Sequence, residues 1–503
     1  MKNVLEYLEK NAAAYPNKVA VQDEHGTCTF LQLKDACQSI GSAIAGKIEI
    51  GEPVAVFMEK GIHTLQAFWG IVYAGGFYTL LNPELPAARL KQIHSVLNVK
   101  YIITDCANLD TARELFPASH ILTVEDMKTV MADPHSLCDI RSVMIDTDPL
   151  YAIFTSGSTG VPKGVLVSHR SVIDFIDTFT ELFGIREDDI IGNQAPFDFD
   201  VSVKDIYSSL KTGATLSVIP KSFFSRPKDL LDWLCNRQIT IMIWAVSALC
   251  LISTFHGLDY RQPDTVRQIL FSGEVMPLKH LNTWMEHLPG TQFVNLYGPT
   301  EITCNCTYHI LRRDRDYKDG IPIGRSFSNK HVFLLDNDNK KITSPGLTGE
   351  ICVRGTALAL GYYNAPDRTS EAFVQNPLNS NYPELIYRTG DLGRYDENCE
   401  LFFCGRKDFQ IKHMGHRIEL EEIERAVSGL PGVERCCCVF DEERQKLHGF
   451  YVGILDKKEL HKKLRVLLPA YMIPGALHNL TEFPLTKNGK VDRKLLLERS
   501  RQK

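Results

Sequence analysis

The sequence predicts an α/β protein with a large N-terminal domain, residues 1–407, and a small α+β C-terminal domain, residues 408–503. The large domain is expected to consist of layered α/β subdomains plus a β-rich subdomain. Three observations lead there. At 503 residues and 56.8 kDa the chain is too long for a single hydrophobic core. From Val4 to about Ile145, helix-patterned segments alternate with short apolar runs, as layered α/β structure requires. After Lys407 and Asp408 the pattern restarts as strand, helix, two strands and helix, enough for a separate small domain.

Taken in order, the N-terminal stretch MKNVLEYLEKNAAAYPNK reads as an amphipathic helix interrupted by charges and lacks the apolar core of a signal peptide. Leu31 to Ile44 and Gly61 to Ala74 carry helical periodicity, while Pro53 to Phe57 and Tyr101 to Thr104 read as strands. The longest apolar run, Leu65 to Leu81, contains Gly70, Gly75 and Gly76 and falls short of a membrane span, so a buried helix leading into a strand is expected. Tyr73 to Leu90 and Gly349 to Tyr363 are read as packing without chemistry, the second as part of the β-rich subdomain. In the small domain, helices are expected over Leu420 to Ser428 and Lys458 to Leu468, with strands around Cys438 and Phe450.

A net charge of −5 and a pI near 6.4 give no reason to propose nucleic acid or an anionic membrane as a partner, and no stable membrane insertion is expected. The fourteen cysteines form no CxxC pair with zinc-ligand spacing. Cys436, Cys437 and Cys438 lie in a strand pattern, where neighbours point to opposite faces and cannot converge on one metal. Reduced, mostly buried thiols in a cytoplasmic protein are the expectation.

The stretch YAIFTSGSTGVPKG, Tyr151 to Gly164, concentrates glycine, hydroxyl and lysine more tightly than any other. A short apolar strand runs into Thr155, Ser156, Gly157, Ser158, Thr159 and Gly160, with Lys163 close behind. Glycines let backbone N–H groups approach a polyanion, hydroxyls add donors and the lysine adds a point charge, so the stretch reads as a phosphate loop, with a flexible surface turn as the other reading. Because Lys163 is preceded by Pro162 and followed by Gly164, it is not a Walker loop, and the glycine spacing fails the dinucleotide pattern.

TSGSTGVPKG, followed by Val165, Ser168 and His169, resembles the signature of the adenylate-forming superfamily of acyl-CoA synthetases, luciferases and nonribosomal peptide adenylation domains. The resemblance runs from about Thr29 to Arg493, with NLYGPTE (Asn295 to Glu301), YRTGD ending at Asp391, CGRKDFQIKHMGHRIELEEIE and PLTKNGKVDRK in family order. It implies ATP and Mg²⁺ as cofactors. Tyr297 would stack on adenine, Gly298 and Thr300 line the nucleotide site, and Glu301 would hold Mg²⁺, which needs few carboxylates beside phosphate oxygens. Asp391 and Arg406 would take the ribose, although a surface ion pair is the other reading of Arg406. Lys490 would be the catalytic lysine on a mobile lid that turns about Asp408 and presents the Gly415 face for a second half-reaction.

In amino-acid-activating members of the superfamily an aspartate at the position of Asp200 holds the substrate's α-ammonium; the other reading of Asp200 is a helix N-cap. The remaining pocket positions map onto Val201, Lys204, Ile243, Leu270, Ser272, Leu296, Cys304 and Asn305. Their size leaves room for little beyond an α-carbon, so glycine or alanine is the expected substrate. NQAPFDFDVSVKDIYSSLKTGATL through RPKDL is especially similar to D-alanine–carrier protein ligases, which modify cell envelopes, yet Lys204 and Ser272 depart from them. A Lys204 whose head snorkels out keeps the pocket small; a buried head makes aspartate or glutamate the alternative. No carrier domain is fused in this sequence, so a separate phosphopantetheinylated carrier protein is the expected acceptor. An acyl-CoA ligase and a catalytically silent nucleotide-binding protein are the other two readings.

Overall fold

Helix and strand boundaries follow the local sequence signals closely. The helix Phe30–Ile44 begins where Thr29 and Gln32 cap it reciprocally, each side chain accepting from the other's backbone N–H. The helix Ile62–Tyr73 runs into the strand Phe77–Leu80, which accounts for the long apolar run, and both are buried. The computed structural model describes residues 1–157, 160–485 and 491–501. Its contacts divide the chain into two compact units. One comprises Met1–Leu81, Val99–Ile153 and Val165–Lys407, and the other Asn82–Asn98, Phe154–Gly164 and Asp408–Lys503.

The first unit is built on three sheets among the described residues. Nine strands form one, ordered Arg325–Ser326, Thr307–Ile310, Gln292–Tyr297, Gln268–Ser272, Ile241–Ala245, Ile190–Asn193, Thr215–Val218, Val19–Gln22 and Thr27–Thr29. The run from Gln292–Tyr297 to Val19–Gln22 is parallel, and its edges are antiparallel. A parallel strand buried on both faces must be apolar throughout, and Ile241–Ala245 and Gln268–Ser272 are fully buried. The seven-stranded sheet is ordered Gly361–Tyr362, Lys163–Ser168, Pro149–Thr155, Phe77–Leu80, Pro53–Phe57, Tyr101–Thr104 and His120–Thr123. The strands expected at Pro53 to Phe57 and Tyr101 to Thr104 lie side by side in it, in parallel. The β-rich subdomain is antiparallel, with Thr348–Gly355 between Lys330–Leu335 and Leu385–Tyr395, and with Leu401–Arg406 on the last of these.

In the second unit the helix Leu420–Ser428 buries Leu420, Ile423 and Val427, spaced three and four apart, against the strands Val433–Asp441 and Lys446–Gly453. Cys436 and Cys438 face that core, whereas Cys437 faces a second cluster with Val439, Phe450 and Leu496, as strand alternation demands. None of the fourteen cysteines, all of them among the described residues, is in a disulfide. Among the described residues no helix is long and apolar enough to cross a membrane.

Candidate active site

The helix Val201–Thr212, in the first unit, carries several of the residues expected to bind the substrate. Asp200 precedes it with φ −64° and ψ −21°, already helical, and its side chain makes no capping hydrogen bond. The capping role that is the structural alternative for this residue is therefore not filled. One turn on, Lys204 is 1% exposed, and its Nζ donates to Asn305 Oδ1 at 2.8 Å and to Ser272 Oγ at 3.3 Å. The head does not snorkel. Burial pulls the ammonium below its ordinary value. Val201 is buried beside it, and Ile243, Leu270, Leu296 and Cys304 share one apolar cluster, with Ile243 and Leu270 paired across neighbouring strands. Cys304 closes back onto this helix end, its Sγ donating to the Asp200 carbonyl at 3.2 Å.

The segment after Gln292–Tyr297 is a tight turn. Gly298 is required there, because a Cβ would lie 2.5 Å from Asn305 Cα. Thr303 and Cys304 take φ of 55° and 71°, the left-handed region that non-glycine residues enter at a cost. Thr300 and Glu301 are buried in this turn. Glu301 is 0% exposed, its Oε1 accepts from the Tyr362 hydroxyl at 2.7 Å, and its carbonyl accepts from Ala359 N at 2.9 Å.

Asp391 and Arg406 lie directly opposite each other on adjacent antiparallel strands, and their side chains form an ion pair. Asp391 is 2% exposed and also accepts from the Tyr297 hydroxyl at 2.5 Å. Arg406 is therefore half of a largely buried pair and not of a surface one. Burial first and Asp391 second keep the Tyr297 hydroxyl protonated.

The strand Pro149–Thr155 ends at Thr155, whose Oγ1 is buried with no hydrogen-bond partner among the described residues. Ser156 Oγ donates to the Arg417 carbonyl at 2.7 Å, and Gly157 N donates to Glu422 Oε2 at 3.3 Å. A glycine amide already turned onto a carboxylate and an orphaned hydroxyl are the donor set a phosphate takes, so the loop fits ATP. Gly160 has φ 82°, open space where a Cβ would stand, and its N–H on the Gly157 carbonyl. Lys163 opens the strand Lys163–Ser168, and Ser168 caps the helix that follows. Asp408 begins the C-terminal segment and accepts from Gln410 N, and Gly415, with φ 79°, turns the hairpin of Gln410–His413 and His416–Glu419. Ser158, Thr159 and Lys490 lie outside the described residues.

Two stretches read as packing alone also make long-range polar contacts. Tyr362, from the β-rich stretch, bonds Glu301 across 61 positions. Arg89, from Tyr73 to Leu90, forms a buried ion pair with Glu422 at 2.5 Å across 333 positions. No local pattern announces either contact; a tyrosine or arginine inside an apolar run is the only trace. The sequence leaves Lys330 unmarked as well, and its Nζ donates to the Asn305 carbonyl at 2.5 Å and the Ile302 carbonyl at 3.3 Å.

Residues 8–363 match the AMP-binding enzyme family and residues 422–490 the AMP-binding enzyme C-terminal domain. The chain is 32% identical over 502 residues to zwittermicin A synthase ZmaJ of Bacillus cereus, covering 97% of this chain and 93% of that one. It is 32% identical over 522 residues to D-alanine–D-alanyl carrier protein ligase of Bacillus cytotoxicus, covering 98% and 99%. It is 29% identical over 503 residues to tyrocidine synthase 1 of Brevibacillus parabrevis, covering 99% of this chain but 45% of that much longer one. The solved structure of holo-PA1221, a nonribosomal peptide synthetase protein containing adenylation and PCP domains, superposes with a TM-score of 0.84 at 25% identity over 99% of this chain and 84% of that one. With the phosphate-loop signature, the buried Asp391–Arg406 pair and both family matches along one chain, this protein belongs to the AMP-binding enzyme family, as an adenylate-forming ligase.

Proposed function

We propose that this chain uses ATP to activate a small amino acid, glycine or alanine, as its aminoacyl-adenylate and passes it to the phosphopantetheine thiol of a separate carrier protein. The observation that carries the reading is Asp200, a carboxylate at a helix start whose side chain does not cap the helix, together with the burial of Ile243, Leu270 and Leu296, the apolar positions assigned to the pocket in this reading. A carboxylate there is the natural counter-charge for an α-ammonium. In this reading the buried Lys204 head, Ser272 and Asn305 take up the polar end of the pocket and leave room for a small side chain. The likeness to a D-alanine–D-alanyl carrier protein ligase and to a protein containing adenylation and PCP domains supports a carrier as acceptor. Unpaired cysteines throughout suit a cytoplasmic setting.

In this reading Thr155, Ser156, Gly157, Ser158, Thr159, Gly160 and Lys163 hold the phosphates, Tyr297, Gly298 and Thr300 the adenosine side, and Asp391 and Arg406 the ribose. Glu301, oriented by Tyr362, holds Mg²⁺, which when bound neutralises phosphate charge. Lys490 stabilises charge developing between the carboxylate and the α-phosphate. Residues 408–503 act as the lid, turning about Asp408.

A second reading, a short acidic amino acid, is favoured by one observation. Among the described residues the buried Lys204 ammonium donates to the neutral acceptors Asn305 Oδ1 and Ser272 Oγ, and a substrate carboxylate would compensate it. Pyrophosphate exchange with glycine, D- and L-alanine, aspartate, glutamate, a fatty acid and an aryl acid tests both. Preference for glycine or alanine, with faster thioester formation on a holo-carrier than on free coenzyme A, is the expected result. Preference for an acidic amino acid, lost in Lys204→Met, establishes the second reading, and preference for the fatty or aryl acid refutes both.

A further inference from the structure

Lys330 opens the strand Lys330–Leu335 and is 6% exposed, with no carboxylate at ion-pair distance among the described residues. A lysine is rarely buried without such a partner. Its ammonium instead sits 4.2 Å from the centroid of the Phe175 ring and donates to the carbonyls of Ile302 and Asn305. Those two carbonyls bracket Thr303 and Cys304, the consecutive left-handed residues of the turn. The same Asn305 receives the Lys204 ammonium on its side-chain oxygen. One asparagine is thus gripped at its main chain by one buried lysine and at its side chain by another.

We propose that Lys330 is a positioning residue for amino-acid selectivity: by holding the carbonyls of the 302–305 turn it fixes the Asn305 side chain that aims Lys204 into the substrate pocket. This rests on the amino-acid-activating reading above. The physical reason is that a turn with two strained non-glycine residues relaxes unless its surroundings over-determine it. A cation shared between the two flanking carbonyls, with its charge lodged against an aromatic face, supplies that constraint. Without it the main chain at 303–305 is free to leave the left-handed region, the Asn305 oxygen moves, and Lys204 loses its stronger acceptor. The nucleotide side of the site, Asp391, Arg406 and Tyr297, is held by its own hydrogen bond and ion pair and is not part of the proposed device.

The test is pyrophosphate exchange by the wild type, Lys330→Met, Lys204→Met and the double variant, with glycine, D- and L-alanine, aspartate and glutamate. The quantity read is the ratio of kcat/KM between the best and second-best amino acids, which does not depend on the fraction of enzyme that is folded. Lys330→Met is expected to shift that ratio by ~5- to 20-fold with KM for ATP within ~2-fold, and to add nothing once Lys204 is already methionine. A ratio within ~2-fold of wild type, or shifts from the two variants that multiply, overturns the proposal. If Lys330→Met yields no folded enzyme, Lys330→Gln is judged by the same ratio. A wild type that activates no amino acid refutes the underlying function and this proposal together, whereas an active wild type with an unmoved ratio refutes this proposal alone.

Discussion

Replacing Asp200 by alanine should remove amino-acid activation selectively. Asp200 stands one turn before Lys204 on Val201–Thr212, so a substrate ammonium deprived of its carboxylate would also face a buried cation. Loss of a charge-assisted hydrogen bond costs about 1.5–3 kcal/mol, which corresponds to a ~10- to 140-fold fall in kcat/KM at about 1.4 kcal/mol per decade. Asp200 is half-buried, so solvent screening moves the result toward the lower end. Asp200→Asn keeps the shape without the charge and should fall between. The assay is pyrophosphate exchange at varied amino acid and saturating ATP, with KM for ATP as the internal control. A loss under ~3-fold, or an equal loss with acids that lack an α-amino group, would refute the reasoning.

Three further outcomes are expected. Tyr297→Phe deletes the 2.5 Å hydrogen bond to Asp391, and KM for ATP should rise ~3- to 10-fold with little change in kcat; an unchanged KM would mean the bond does not hold the ribose carboxylate in place. Lys490→Ala should lower adenylate formation by at least ~300-fold while ATP binding stays within ~3-fold, because its charge acts where transition-state charge appears. Thioester transfer from supplied adenylate should persist, and normal adenylate turnover would remove Lys490 from the mechanism. Asp205 is buried, accepts from Asn193 at 2.7 Å on one oxygen and has no partner on the other among the described residues. Burial, opposed by that hydrogen bond and by Lys204, pushes its carboxyl up from 3.8 to about 8. Since the folded value exceeds the unfolded one, the folded state binds the extra proton between those limits, and stability falls as pH rises through that window. Asp205→Asn should therefore raise Tm more at pH 8 than at pH 5, and a Tm difference independent of pH would show that Asp205 does not titrate there.

What the sequence determined by itself is local. Pro53–Phe57, Tyr101–Thr104 and Leu420–Ser428 appear where periodicity puts them, because the pitch of a strand or helix decides which side chains share a face before any partner arrives. The same rule separated Cys436 and Cys438 from Cys437. The phosphate loop was legible because backbone approach to a polyanion demands glycine at fixed spacing, a demand written in consecutive residues. Only the tertiary structure decided the second partners. Tyr362 and Glu301 stand 61 residues apart, and Lys330 and Asn305 stand 25 apart, so no window of sequence holds both members of either pair. The head of Lys204 shows the reason most directly. Its stem packs equally well whether the ammonium snorkels or stays, and only the arrival of Asn305 and Ser272 from other elements holds it inside.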